Sequence, residues 1–271
     1  MKGNIMSKIG FIGCGNMGGT LAKAAAKTDC AVYLSDYDQN KLNTVAKELN
    51  AHASTNEEIV STCDLIFLGV KPQVLASVLE PLKEALKNRK EHFALVSMAA
   101  GMTLETVAEL AGGEHPIIRI MPNTPAAVES GMILYCKNGL VTDGDVALFL
   151  DSMQFAGVCD FIDEGLFDAA TAVSGCGPAF CYMFVQALAD GGVKAGLSKE
   201  TALKLAAQTL MGAGKMVRDT GIDPETLKIN VCSPGGSTIE GVKSLEADDL
   251  NGIVRKAVNA SFKRTQELGK K

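Results

Sequence analysis

Residues 7–13, SKIGFIG, are a short apolar run that ends in Gly13-Cys14-Gly15-Asn16-Met17-Gly18, after which Leu21, Ala22, Ala25 and Ala26 continue at helical spacing. A strand that breaks at glycines and resumes at once as a helix fits few architectures, because the glycines let the chain turn sharply and let another group approach its backbone. It is the context of a dinucleotide site. There Gly13 makes the tight turn, Gly15 admits a pyrophosphate to the backbone, and Gly18 lets the helix pack on its strand, with Asn16 and Met17 counted among the cofactor-binding residues of the same turn. A second strand, residues 31–35, ends at Asp36, near where such folds place the acidic residue that binds the adenosine ribose. The alternative is local, since Asp36 or Asp38 is also suited to cap the helix expected over 41–49.

The pattern then repeats. Residues 56–63 read as a helix, and 64–70, DLIFLGV, as a continuous apolar strand suited to a sheet covered on both faces, which carries Val70-Lys71-Pro72 to the C-terminal edge of that sheet. Residues 93–98 form another buried strand, followed by Ala99-Ala100-Gly101, small enough for a nicotinamide ring to lie against the backbone. A helix over 103–110 and a strand over 116–121, PIIRIM, lead into Pro122-Asn123-Thr124-Pro125. Asn123 and Thr124 there either orient the cofactor amide or the substrate, or simply serve the turn. A strand over 132–136, a helix over 145–155 and an edge strand over 158–162 close the first domain at residue 163.

From residue 164 strand-like runs vanish and Ala, Gly, Leu and Met dominate long helical segments. The helix after Pro178 is apolar nearly all round, so it belongs inside a large body or at a subunit interface. About a hundred residues cannot easily hide it, which predicts a homodimer with room for a higher assembly of dimers. Helices are also expected over 201–218, with Ala206, Leu210, Ala213 and Val217 on one stripe, and over 249–268. Between them Ser233-Pro234-Gly235-Gly236-Ser237-Thr238 sets a rigid proline and two permissive glycines among hydroxyls, so that backbone N–H groups converge on a small anion. Ile239, Val242 and Leu245 follow at helical spacing and place this nest at a helix N-terminus, with the Thr238 hydroxyl beside the anion. The bland alternative is a Ser/Gly-rich helix cap.

Composition narrows the function classes. A chain of 271 residues is long enough for two domains, and a formal charge of −5 with pI near 5.3 speaks against nucleic acid and anionic membrane surfaces as partners. No apolar run approaches the roughly 20 residues of a membrane span, and the start lacks the apolar core of a signal peptide, so a cytoplasmic protein is expected. The eight cysteines are scattered without a C-x-x-C pair, and three histidines, His52, His92 and His115, leave little from which to build a metal site or a histidine triad.

The order Ser-x-Gly-Gly-x-Thr-x-x-Gly from Ser233, followed by Leu245-Glu246, resembles the signature of pyrroline-5-carboxylate reductases. So do Arg119-x-Met121-Pro122-Asn123-Thr124-Pro125 and residues 168–179, DAATAVSGCGPA, in the same order along the chain. The resemblance implies an α/β fold: an N-terminal Rossmann-type dinucleotide-binding domain, 1–163, followed by an all-α C-terminal dimerisation domain, 164–271, that also binds substrate. It implies hydride transfer from NADPH or NADH to the C=N carbon of 1-pyrroline-5-carboxylate, giving proline. Lys71 and Asn56 match positions that contact the cofactor in that family, with Val70 and Pro72 in the same turn. Thr238 is then the candidate for the imine nitrogen, and Ser233 with the N–H groups of Gly235, Gly236 and Ser237 for the carboxylate. Asp36-Tyr37-Asp38 and Ser237 depart from the expected pattern. The rival β-hydroxyacid dehydrogenases carry a catalytic lysine soon after a glycine-rich segment, whereas after Gly177 no lysine appears before Lys194. A dinucleotide-sensing scaffold would have no use for a second anion nest.

Overall fold

The computed structural model describes residues 6–268, and backbone contacts divide the chain into two compact units. The first takes the chain as far as Gly175 and again from Phe262; the second is Cys176–Ser261.

The first unit is built on an eight-stranded sheet. Its strands are β1 (Lys8–Ile12), β2 (Ala31–Ser35), β3 (His52–Ala53), β4 (Leu65–Leu68), β5 (Ala94–Ser97), β6 (Ile117–Met121), β7 (Gly131–Lys137) and β8 (Gly157–Phe161), in the spatial order β3-β2-β1-β4-β5-β6-β7-β8. Neighbours run parallel except β6 and β7, where Met121 lies opposite Leu134 in an antiparallel pair. A single turn, Thr124–Val128, can join those two; the parallel pairs need helical crossovers. These are α1 (Asn16–Ala25), α2 (Gln39–Leu49), α3 (Asn56–Thr62), α4 (Pro72–Leu79), α5 (Lys83–Asn88), α6 (Leu104–Ala111) and α7 (Asp143–Met153).

The inner strands β1, β4, β5 and β6 are buried on both faces because both are covered, whereas the edge strands β3 and β8 are largely exposed. Ile9, Phe11, Leu65, Phe67, Val96 and Ile118 pack with Leu21 and Ala22 of α1 and with Phe149 and Met153 of α7. Alternate residues Ile12, Ile66, Leu68, Leu95 and Ile117 pack on the other side with Ile59, Leu75, Leu79 and Val107. Phe11 stacks on Phe67 with ring centres 4.5 Å apart, and each such fully buried side chain contributes about 1.5–3 kcal/mol. Three elements were not legible in the sequence: the two-residue β3, and the pair α4 and α5 joined by a short turn at Pro81.

Helix α8 (Phe167–Ser174) lies beyond the expected boundary at 163/164, yet it belongs to the first unit. Phe167 is buried against Leu134 and Cys136 of β7, and the Arg119 guanidinium reaches Glu164 Oε1 at 3.0 Å and Asp168 Oδ1 at 3.6 Å. The change in composition at residue 164 marks where strands end, not where packing ends.

Among the described residues the second unit is wholly helical, with α9 (Gly177–Lys194), α10 (Lys199–Thr220), α11 (Pro224–Asn230), α12 (Ser237–Ala247) and the first part of α13 (Leu250–Leu268). α9 and α10 meet around Ala189, Ala202 and Ala206. Beyond that contact the apolar surface is exposed: Tyr182, Met183, Leu188 and Val193 on α9, and Leu205, Met211 and Val217 on α10. The expected stripe on α10 is therefore buried at Ala206 and open at Val217. The run Glu164–Lys194 is also long and apolar enough, by length and composition alone, to cross a membrane. That corrects the expectation that no segment is; the charge-free stretch 169–189 escaped notice because Thr171, Ser174, Gly175, Gly177 and Pro178 break its apolar run.

One buried group gives the first unit a pH dependence. His115 lies against the Phe93 ring at 5.6 Å, its Nε2 is without a partner, and burial pushes its pKa below the ordinary 6.5. The unfolded chain therefore takes up this proton first as pH falls, so the stability the neutral ring contributes is present above about pH 6.5 and lost below it, by at most about 1.4 kcal/mol per pH unit. Urea midpoints should fall between pH 7.5 and 5.5, and His115→Gln should flatten that difference; an equal pH slope in the variant would assign the loss to other groups.

Candidate active site

β1 ends at Gly13, whose φ of +98° suits a residue without a side chain and whose N–H donates to the Ser35 carbonyl at 2.7 Å. Three glycines meet there. A Cβ on Gly18 would lie 2.1 Å from the Gly13 carbonyl oxygen, and one on Gly69, just after β4, would lie 2.4 Å from the same atom. The glycine turn and the end of β4 thus touch backbone to backbone. α1 begins next, with Gly15 as its N-cap and no side chain accepting from its first N–H groups, which leaves them for an anion.

The carboxylate of Asp36 ties this turn to β2. Its Oδ2 accepts from the Cys14 N–H at 2.7 Å and its Oδ1 from the Asp38 N–H at 3.0 Å. Helix α2 is capped by Asp38, which accepts from the N–H groups of Asn40 and Lys41, so Asp36 is not the cap. Asn56, at the first position of α3, accepts from the Ser35 hydroxyl at 2.7 Å and so sits beside the same strand end. The Cys14 thiol is buried beneath the turn, and burial first, then the Asp36 charge, pushes its pKa up to about 11; it is a packing group and not a nucleophile.

On the other side of the turn, Val70 packs against Gly13, exposed Lys71 is the N-cap of α4, and Pro72 opens that helix. Ala99 and Ala100 follow β5, with Ala99 buried and Ala100 exposed. Gly13, Asp36, Asn56, Val70, Lys71 and Ala100 therefore collect at the C-terminal ends of β1, β2, β4 and β5. The chain order reverses between β1 and β4, and such a switch point is where open α/β sheets bind ligands. From Gly15 and Asn16 a cleft of about 340 Å³ runs along α1, lined by Thr20, Lys23, Lys41 and Glu129 among others.

Asn123 follows β6, the strand paired with β5. Its Nδ2 donates to the Ser174 carbonyl at 2.9 Å and its Oδ1 accepts from the Met132 N–H at 2.9 Å, with 9% of the residue exposed. The amide, for which the sequence offered a cofactor, a substrate or a turn role, holds the end of α8 to the start of β7. Arg119, to which the sequence assigned no role, is 5% exposed, stacks over Phe167 at 4.3 Å and shares Glu164 with the Leu104 N–H. The signal was there, as a lone charge inside an apolar strand implies a buried partner.

In the second unit the nest is a tight turn. Gly236 N–H donates to the Ser233 carbonyl at 3.0 Å, with Pro234 and then Gly235, φ +71°, at the two central positions, the pairing a type II turn takes. That corrects one expectation, because the Gly236 N–H is already used and is not a free donor to a carboxylate. Gly236 caps α12 without a side chain, and a Cβ there would lie 2.6 Å from Ser233 Oγ. Among the described residues nothing pairs with the hydroxyls of Ser233, Ser237 and Thr238, and all three residues are exposed.

The glycine turn at the switch point of the sheet, followed by a helical unit, defines a nicotinamide dinucleotide-dependent oxidoreductase. Two family models match the chain: "NADP oxidoreductase coenzyme F420-dependent" over residues 8–101, and "Pyrroline-5-carboxylate reductase dimerisation" over residues 164–268. The pyrroline-5-carboxylate reductase of Escherichia coli (strain K12) is 37% identical over 268 residues, covering 97% of this chain and 98% of that one. Among solved structures, the Coxiella burnetii pyrroline-5-carboxylate reductase superposes with a TM-score of 0.89 at 30% identity, covering 98% of this chain and all of that one. The Plasmodium falciparum pyrroline carboxylate reductase, with NADP bound, gives 0.84 at 35% identity, covering 97% and 99%. The chain belongs to the pyrroline-5-carboxylate reductase family.

Proposed function

We propose that this chain reduces 1-pyrroline-5-carboxylate to proline with NADPH or NADH, binding the dinucleotide at the switch point and the substrate at the turn 233–238. The observation that carries the substrate half is the uncapped N-terminus of α12 with three unpaired hydroxyls around it. The residues present fit a dinucleotide, since a Cβ on Gly15 would meet only open space, which is the space a pyrophosphate needs, and the first N–H groups of α1 are free. The bound dinucleotide supplies the hydride.

The protein's own part is positioning. The N–H groups of Gly235 and Ser237 and the Ser233 hydroxyl hold the substrate carboxylate, and the Thr238 hydroxyl donates to the imine nitrogen or hands it a proton as it gains electron density. Such a reaction needs no imidazole. His52 stacks on Tyr33, His92 is bonded to Asp145, and His115 is buried beside Phe93. The intact protein should oxidise NAD(P)H, read at 340 nm, when given the imine. Thr238→Ala should lower kcat/KM about 5- to 150-fold, the range that loss of one such hydrogen bond, roughly 1–3 kcal/mol, corresponds to. Unchanged kinetics would return the hydroxyl to a capping role.

Asp36 retains free lone pairs beyond its two N–H partners and would accept the ribose 2′-hydroxyl of NADH. Against a 2′-phosphate it is repulsive by about 4 kcal/mol per unit charge at about 4 Å and an effective dielectric near 20, before screening. NADH should serve at least as well as NADPH, and Asp36→Ser should shift preference towards NADPH. A tenfold kcat/KM advantage for NADPH in the wild type would refute the ribose role.

We infer also that a second copy, not lipid, covers the exposed faces of α9 and α10, giving a cytoplasmic homodimer. The dimerisation model over 164–268 supports this reading. The protein extracted without detergent should sediment as a dimer or a multiple of one; an active monomer at micromolar concentration, or retention in the membrane fraction, would overturn it.

A further inference from the structure

Helices α11 and α12 flank the turn 233–236, and neither buries a residue within the chain. Helices of seven and eleven residues without a buried face have little packing to fix their directions. What joins them is Lys228. Its Nζ donates to Glu225 Oε1 on α11 and to Glu246 Oε1 near the end of α12, each at 2.7 Å. Among the described residues no other side-chain hydrogen bond or ion pair links residues 222–236 to 237–250.

We propose that Lys228 is a positioning residue for the substrate site: clasped between Glu225 and Glu246, its ammonium sets the direction of α12 and so places the donors of Ser237 and Thr238 relative to Ser233. The inference rests on residues 233–238 being the carboxylate and imine site. Lys228 does not itself touch the substrate in this arrangement. Glu246 lies nine residues beyond Ser237, about 13 Å along a helix that rises ~1.5 Å per residue, so the clasp grips the far end of the lever that carries the nest. A tilt of about 10° at that lever displaces its tip by about 2 Å, whereas a hydrogen bond to a carboxylate is made or lost over a few tenths of an ångström. The charge arithmetic strengthens the dependence, because the trio holds two carboxylates and one ammonium. Without the ammonium, Glu225 and Glu246 oppose one another across the two helices and drive them apart.

The clasp is partly exposed, with the Lys228 side chain 34% accessible, so its effect is of the size that exposed ion pairs have. Lys228→Met and Glu246→Gln should each raise KM for pyrroline-5-carboxylate about two- to fivefold. KM for the dinucleotide, which binds in the other unit, should stay as in the wild type, as should sedimentation of the intact protein. Exchanging the charges, Lys228→Glu with Glu246→Lys, rebuilds the bridge and also offers Glu225 a partner, so it should return KM towards the wild-type value. A helix-stability role alone would show no such rescue and no such split between the two substrates. Unchanged KM in both single variants overturns the proposal, and so does an exchange variant no better than the singles. Thr238→Ala in the same assay reports on the site itself: full activity there overturns the reading of the site, whereas loss of activity there with unchanged KM in the Lys228 variants overturns the clasp alone.

Discussion

The architecture of the first unit depends on a contact between backbones. Gly13, Gly18 and Gly69 come so close that a single Cβ at either of the last two would lie inside the van der Waals envelope of the Gly13 carbonyl. That contact sets α1 tight against the strand pair at the point where the sheet order reverses, and it exposes the first N–H groups of α1 in the crevice between β1 and β4. The apolar strands supply the free energy of the fold, but they would tolerate exchange of one buried aliphatic for another of similar volume. The glycine contact tolerates nothing larger than hydrogen. Asp36 then fixes the turn laterally through the Cys14 N–H, so that one carboxylate ties the glycine turn to the end of β2.

Much of this was legible because the physics that makes the pattern also makes the fold. A buried parallel strand must be apolar on both faces, and residues 64–70 read as one from the sequence alone; β4 occupies Leu65–Leu68. The glycine spacing carries the ligand site for the same reason. What stayed hidden was decided by partners remote in sequence. Nothing in Pro-Asn-Thr-Pro says that the Asn123 amide will be held at one end by Ser174 and at the other by Met132. Nothing near residue 164 says that Phe167 will pack against Leu134 and Cys136. β3, with two residues paired to Tyr33 and Leu34, is too short for any periodicity to show.

The nest shows the same division at atomic scale. Proline followed by two glycines predicts a turn, and a turn forms. Yet the turn consumes one of the N–H groups that the sequence offered to an anion, since closing it requires the donor of Gly236. If residues 233–238 hold a carboxylate, the hydroxyls of Ser233, Ser237 and Thr238 carry more of that contact than the run of glycines suggests; Gly235 supplies the positive φ of the turn, and Gly236 leaves room for the Ser233 hydroxyl, which a Cβ there would crowd at 2.6 Å.

The helical unit has an incomplete ledger of burial. α9 buries Ala189 alone, α10 buries Ala202 and Ala206, and α11 and α12 bury nothing, while large apolar side chains such as Met183, Met211 and Ile229 stay exposed. An isolated helix shorter than about a dozen residues is marginal in water, because nucleation costs more than a few hydrogen bonds return. The residues assigned to the substrate therefore sit on the elements that a single chain stabilises least. If a second copy covers α9 and α10, the order of the turn 233–238 becomes a consequence of association as well as of sequence. Dimerisation and substrate binding are then one thermodynamic problem. The apolar faces supply the stability, and local devices such as the type II turn and the Lys228 bridge convert it into a fixed direction for α12.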